Sequence, residues 1–248
     1  NYKNNIYLME SILIDISSTL IRNNKKNNKS IRYLTPDSVV DYINDNKIYF
    51  DWGDILYLDL ELKDIKKDLK KHLSSNRYKH TEGVALTAKN IAKKMGVNIK
   101  KAELAGLLHD YAKGINENKL VELVKKSEWK VDNIEENLPS VLHAPVGAFL
   151  VQNKYDIMDK DILEAIRFHT IGSPHMGKLA LIIFIADFIE PNRNYPNVNK
   201  LRKKMNKSTL EEMTVIVCDQ SIKYNINKGR IIHPNTLLLR NEYLGGNN

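Results

Sequence analysis

Apolar residues recur at helical spacing through most of the chain, after an N-terminal stretch that reads as extended. Residues 6–16, IYLMESILIDI, are apolar enough for a strand, and the hydroxyls of ISST at 16–19 offer caps for a helix starting near Leu20. After a polar Asn-Lys loop, SIRYLTPDSVVDYINDNKIY puts Pro36 at a first helical position, with Val39, Val40 and Ile43 at helical spacing. Residues 51–60 read as a connector. A new period starts at Leu62 and continues through Ile65, Leu69 and Leu73. His80 opens or interrupts a helix carrying Val84, Thr87, Ala88, Ile91 and Ala92 on one face, and Met95-Gly96-Val97 ends it with glycine as the left-handed stop. Residues 101–111 form the next helix. The polar stretch 114–140, broken by Pro139, reads as a short helix and a loop, and 142–151, 162–168, 179–189 and 210–227 supply the remaining helices. The pattern predicts an all-α helical bundle preceded by a small α/β segment.

Composition agrees with helices. The 248 residues are 42% hydrophobic, enough for a real core, and eleven glycines and seven prolines leave room for few turns. The formal charge of +8 favours polyanionic ligands, although the lysines are scattered. A single cysteine, Cys218, excludes an internal disulfide and a thiolate metal cluster, which fits a reducing cytoplasm. The most apolar run, LALIIFIA at 179–186, is far shorter than the roughly 20 residues of a membrane span, so no membrane partner is expected. The chain begins at Asn1 rather than at a methionine, which suggests a piece of a longer protein.

The chemistry centres on AGLLHDYAK at 105–113, where an apolar helix face ends in His109 and Asp110. An imidazole and a carboxylate on a last turn can converge on one ion, or serve two ions with the carboxylate bridging. Two residues do not complete a coordination shell, and further ligand types stand at His80, His143, His169 and Asp187. Asp187 follows eight consecutive apolar residues, so its helix is apolar all round and central. Burying an unpaired carboxylate there would cost several kcal/mol, on the order of what a cation or ion pair must offset. Any one of these histidines is compatible with a satisfied core residue, but the set together has no common structural excuse. Nitrogen and oxygen donors without sulfur suit Fe, Mn, Zn or Co. His72, in a Lys-rich helix, reads as solvated, and His175 has no assigned role.

Two resemblances extend this reading. ISSTLIR at 16–22 followed by SIRYLTPDSVVDYI resembles the C-terminal end of bacterial nicotinate-nucleotide adenylyltransferases, whose N-terminal catalytic motif is absent here. That implies a fusion cut inside its first domain, with 1–50 an inert remnant, 51–61 a connector and 62–248 a second domain. In the second region RYKHTEGVALTA, AGLLHDYAKG, LHAPVGA, AIRFHTIG, IIFIADFIEPNR and GRIIHPNT resemble the YqeK-type symmetrical bis(5′-nucleosyl)-tetraphosphatases of the HD-domain phosphohydrolases. The resemblance implies an HD-domain bundle with iron held by His80, His109, Asp110 and Asp187, as one or two ions, with manganese, cobalt or zinc as alternatives. It places His143 and His169 near a second metal or the phosphates. Arg77, Lys113 and Arg193 would meet the phosphate chain, and Asp110, Lys113, His143, His169 and Arg193 would carry the catalytic work. Tyr111, Ala112, Phe188 and the segment Arg230, Ile231, Ile232, His233, Pro234 and Asn235 would contact substrate, the backbone of His233 rather than its ring. A homodimer is carried over in the same way.

The expected reaction is symmetric cleavage of diadenosine tetraphosphate, a dinucleoside polyphosphate, to two ADP through a metal-activated water. Two other readings keep different parts of this. An HD phosphohydrolase acting on guanosine tetraphosphate, a cyclic dinucleotide or a deoxynucleoside triphosphate keeps the metal. A non-catalytic helical module that binds RNA or a partner protein predicts salt-sensitive affinity without hydrolysis, but the intact ligand set disfavours a nucleic-acid role.

Overall fold

The computed structural model describes residues 16–17, 20–21, 24, 30–45, 52–205 and 207–245. The chain divides into two compact units, Asn1–Glu61 and Leu62–Asn248. In the first, Ser17 Oγ accepts the Leu20 N–H at 3.1 Å, the cap expected of the ISST stretch. Arg32 and Thr35 form an isolated parallel bridge, and among the described residues no further strand forms. Helix α1 (Asp37–Asp45) starts one residue later than expected, since the Pro36 carbonyl takes the N–H groups of Val39 and Val40 and Pro36 thus flanks the helix. Ile31 and Ile43 are buried. The strand expected over 6–16 lies, apart from Ile16, outside the described residues, as do Ser18, Thr19 and Arg22 of the ISSTLIR stretch.

The stretch read as a connector is helical: α2 runs from Trp52 to His72, and the boundary between the units falls within it. Leu62, Ile65, Leu69 and Leu73 are buried at the spacing of one helix face. Helix α3 (Ser75–Met95) begins earlier than the apolar pattern suggests, because Ser74 Oγ accepts the Arg77 N–H. His80 therefore sits in its second turn and does not open it. Gly96, at φ 66°, ends α3 as the left-handed stop, with its N–H on the Ala92 carbonyl.

Helix α4 (Ile99–Leu108) packs closely on α3, where a Cβ on Gly106 would lie 2.7 Å from Ala85 Cα. The chain continues through α5 (Glu117–Val124), α6 (Asn133–Glu136), a 3-10 turn at Pro139–Val141, α7 (His143–Tyr155) and α8 (Lys160–Phe168). Helix α9 (Lys178–Ile189) buries every residue from Leu179 to Ala186. It touches α3, α4 and α8, and is the central element the sequence implied. Helices α10 (Val198–Met205), α11 (Leu210–Asn227) and α12 (Pro234–Gly245) follow, with α11 and α12 packed together. Helices α10 and α12 were not legible as helices in the apolar pattern. Among the described residues no helix is long and apolar enough to cross a membrane.

Candidate metal centre

Helix α4 stops at Leu108, short of the expected 101–111 span, and the chain tightens into successive three-residue turns, with Tyr111 N–H on Leu108 O and Lys113 N–H on Asp110 O. His109 thus stands one residue past a helix end. Its Nδ1–H donates to the Gly106 carbonyl at 2.8 Å, one of the C-terminal acceptors a helix leaves unsatisfied. His169 repeats the device after α8, donating from Nδ1 to Ile166 O at 2.7 Å, and His143 donates to Ser140 O at 2.7 Å. A carbonyl only accepts, so each bond fixes the tautomer and leaves Nε2 with its lone pair facing inward. His80 reaches the same state by donating from Nδ1 to the Glu190 carboxylate at 3.1 Å.

These lone pairs converge in two groups. In the first, His80 Nε2 lies 3.2 Å from His109 Nε2, 3.6 Å from Asp110 Oδ2 and 3.0 Å from Asp187 Oδ1. His109 Nε2 is 3.5 Å from that Asp110 oxygen and 3.8 Å from Asp187 Oδ1. In the second, His143 Nε2 and His169 Nε2 are 3.2 Å apart, and Asp110 Oδ1 lies 3.3 Å from the first and 3.6 Å from the second. Asp110 gives one oxygen to each group.

Donors about 2.0–2.2 Å from a shared ion stand roughly 3.0–3.6 Å apart, the spacing of every pair above except His109 Nε2 and Asp187 Oδ1 at 3.8 Å. Imidazole nitrogens whose protons are engaged elsewhere repel one another at 3.2 Å unless a cation lies between them. The residues therefore fit a bound metal, and the chemistry of the donor set, imidazole and carboxylate, fits Fe, Mn, Co or Zn.

Electrostatics points the same way. Burial raises the Asp110 pKa, but His109, His143 and His169 outweigh it and hold the carboxyl well below the usual range. Asp187 is likewise depressed: burial opposes the shift, and its hydrogen bond to His80 and the charge of Arg193 dominate. Burial pushes His143 down to about 4. His80 is raised, because Asp187 and Glu190 overcome the effect of its burial. Two carboxylates held anionic and a His143 ring held neutral suit a cation site.

Asp187 departs from expectation in one respect. It was expected to be buried, with its charge offset by a cation or an ion pair; the pair is present, Oδ1 accepting from Arg193 Nη2 at 2.5 Å, but the side chain is 22% exposed. Arg193 also donates from Nε to the Asp187 carbonyl at 2.8 Å. Arg77 Nη1 donates to Asp110 Oδ2 at 2.6 Å, and Lys113 Nζ lies 3.3 Å from both ring nitrogens of His143. Burial lowers the Lys113 pKa despite the nearby Asp110. All three expected phosphate cations thus contact candidate donor residues.

Other expected contacts are repositioned. The Ala112 methyl is fully buried in a cluster with Leu120, Val124, Leu142 and Val146, so its side chain faces the core. The Tyr111 ring is buried and stacked on His72, with centroids 4.5 Å apart, and its carbonyl accepts from His72 Nε2 at 2.9 Å. His72 is solvent-exposed, as read, while one side of its ring packs on the turn after Asp110. Phe188 packs edge-on against Tyr195. The His233 ring is engaged with Asp132 at 2.9 Å and with the Asn235 N–H, and its carbonyl accepts from the Thr236 N–H at 3.1 Å. Arg230 lies over the Tyr224 ring, Ile231 and Pro234 are exposed, and Ile232 is partly buried. His175 pairs with Glu242.

Two residues escaped sequence reasoning. Glu190, 1% exposed, holds His80 through Oε1 and receives both the backbone and side-chain N–H of Asn192 through Oε2. Its signal was its place in IIFIADFIEPNR, three residues past Asp187. Thr170 brings its hydroxyl to 3.0 Å from His169 Nε2 and 3.3 Å from His143 Nε2.

Comparison with known proteins sets this geometry in context. The HD domain family matches residues 77–219. The chain is 41% identical over 176 residues, 71% of its length and 93% of the relative's, to a Halalkalibacterium halodurans protein described as "Bis(5'-nucleosyl)-tetraphosphatase, symmetrical". It is 34% identical over 175 residues, 70% of its length and 44% of the relative's, to a Mycoplasma genitalium protein described as "Probable nicotinate-nucleotide adenylyltransferase/Ap4A hydrolase". The crystal structure of a Clostridium acetobutylicum HD superfamily hydrolase aligns with a TM-score of 0.71 at 35% identity, covering 75% of this chain and 97% of that one.

Proposed function

This chain belongs to the HD-domain family and, within it, to the symmetrical bis(5′-nucleosyl)-tetraphosphatases, and on that premise we propose that it hydrolyses diadenosine tetraphosphate to two molecules of ADP. The observation that carries the reading is Asp110 dividing its two oxygens between two groups of inward-facing imidazoles. His80, His109, Asp110 and Asp187 would hold one divalent cation, and His143, His169 and Asp110 a second. A metal bound there lowers the pKa of its water and polarises a phosphoryl oxygen.

The chain's own residues do the rest. The water oxygen bonds to one β-phosphorus and gives up a proton to solvent, the bond from that phosphorus to the central bridging oxygen breaks, and the bridging oxygen leaves with its electron pair on the other ADP. Charge on the phosphoryl oxygens is met by Arg77, Lys113 and Arg193. Each guanidinium has five N–H donors; Arg77 uses one on Asp110 and Arg193 two on Asp187. Both side chains are partly exposed, which favours contact with an arriving polyphosphate. Symmetric cleavage follows if one whole ADP half is gripped with its terminal phosphate at the centre. Phe188 and the Arg230–Asn235 segment would supply that grip. Support comes from Thr236, whose hydroxyl donates to the Ile171 carbonyl at 2.7 Å and ties α12 to the chain two residues beyond His169.

Within the Fe, Mn, Co and Zn class we assign iron, in a cytoplasmic homodimer. The Mycoplasma genitalium relative, whose description joins both activities, supports reading 1–50 as an adenylyltransferase remnant. The test is product analysis of the purified chain with Fe²⁺ and diadenosine tetraphosphate. ADP as sole product supports the reading; AMP with ATP refutes the symmetric register, and an Asp110→Ala variant as active as wild type refutes the site.

A further inference from the structure

The second donor group differs from the first in charge. The first holds two carboxylates, whereas the second has a single oxygen from the shared Asp110, beside His143 and His169. One further oxygen reaches the second group. We propose that the Thr170 hydroxyl is its fourth donor, completing with His143, His169 and Asp110 a site for a second divalent cation.

The geometry is that of a donor shell. Thr170 Oγ1 stands 3.0 Å from His169 Nε2 and 3.3 Å from His143 Nε2. The other separations in the group, 3.2, 3.3 and 3.6 Å, fall in the same narrow range. A hydrogen-bonding role alone leaves the group unbalanced. Both ring Nδ1–H groups already donate to carbonyls. The hydroxyl has one proton and satisfies one Nε2 lone pair; Lys113 Nζ, equidistant at 3.3 Å from both His143 ring nitrogens, does not lie along the Nε2 lone pair, and Asp110 Oδ1 still faces unshared electrons. A cation among the four atoms answers all of them together.

The position of Thr170 is also built by the fold. It follows His169 directly, and the chain then turns at Gly172, whose N–H donates to Phe168 O and whose φ is 70°. A Cβ at Gly172 would lie 2.6 Å from Leu239 Cδ2, so α12 packs against the bare glycine. Thr236 holds the intervening Ile171 carbonyl. Anchors on both sides fix the hydroxyl over the rings.

This inference rests on the metal centre proposed above, and its test separates the two. The probe is Mn²⁺, titrated into the full, metal-stripped chain against a competing chelator, for wild type, Thr170→Val and Thr170→Ser. Valine keeps the shape without the hydroxyl; serine keeps the hydroxyl. Expected are two ions per chain in wild type and Thr170→Ser, with the second affinity in Thr170→Val at least tenfold weaker, the first unchanged, and the metal-free melting temperature retained. Thr170→Val holding both ions within twofold of wild type overturns the inference while leaving the centre intact. So does a tenfold loss in Thr170→Ser, or a wild type that binds one ion. A wild type that binds none sinks the centre itself.

Discussion

Replacing Glu190 by glutamine tests how the first donor group is organised, because the amide has a single acceptor where the carboxylate uses two. Oε1 accepts from His80 Nδ1 at 3.1 Å, and Oε2 accepts from the Asn192 N–H at 2.6 Å and its side-chain amide at 2.9 Å. With the amide nitrogen turned toward Asn192, two donors confront a donor in a buried site, at a cost of about 1–3 kcal/mol in stability. Turned toward His80, the amide favours the opposite tautomer, and a proton on Nε2 then blocks the cation. Either way the negative charge behind the imidazole is gone. Loss of such a supporting partner weakens metal binding by about 10- to 100-fold, roughly 1.4–2.8 kcal/mol. The assay is chelator competition for the tighter ion, paired with the melting temperature of the metal-free protein. Glu190→Gln unchanged in both refutes the claim that Glu190 sets the His80 tautomer. Gly83→Ala attacks the same contact from another side, since its Cβ would lie 2.2 Å from Glu190 Oε2. It should weaken the same ion.

Gly106→Ala places a Cβ 2.7 Å from Ala85 Cα and 2.9 Å from its nitrogen, backbone that cannot swing away; a loss of about 1–3 kcal/mol is expected in urea denaturation, and wild-type stability would contradict the close α3–α4 crossing. Arg167 and Glu135 form an ion pair at 2.7 Å with both side chains under 5% exposed. Arg167→Met should cost about 3–5 kcal/mol by stranding the carboxylate, and adding Glu135→Leu should recover much of it; a single variant within 1 kcal/mol of wild type, on the order of an exposed pair, would show the pair is not desolvated. Cys218 is fully buried and its thiol is pushed up to about 12 by that burial, so it should react with a thiol reagent only at the rate of unfolding, and rapid labelling of the native protein would place it at the surface.

The fold was largely legible where a helix is apolar on a clear stripe or all round. Gly96 ended α3 where a left-handed stop was expected, and α9 proved buried along the whole LALIIFIA run. Helix α10 escaped because Val198–Met205 carries three basic residues in its last turn and little apolar signal. Helix α12 escaped because Leu237, Leu238 and Leu244 are exposed, so its leucines make no single buried face. The start of α3 was misread because a cap at Ser74, and not an apolar residue, begins it.

The sequence by itself determined the candidate donor types, the helices that carry or precede them and the order H, HD, H, H, D. Those follow from local composition and the 3.6-residue period, which any reader of the chain can apply. Only the tertiary structure decided how the ligands divide. Asp110 facing both groups, Arg193 on a half-open Asp187, and Glu190 behind His80 at a separation of 110 residues are meetings of distant helices. Helical periodicity says which face a side chain occupies, but the crossing of α3, α4, α8 and α9 sets which faces meet. That crossing sets where the candidate donor atoms meet.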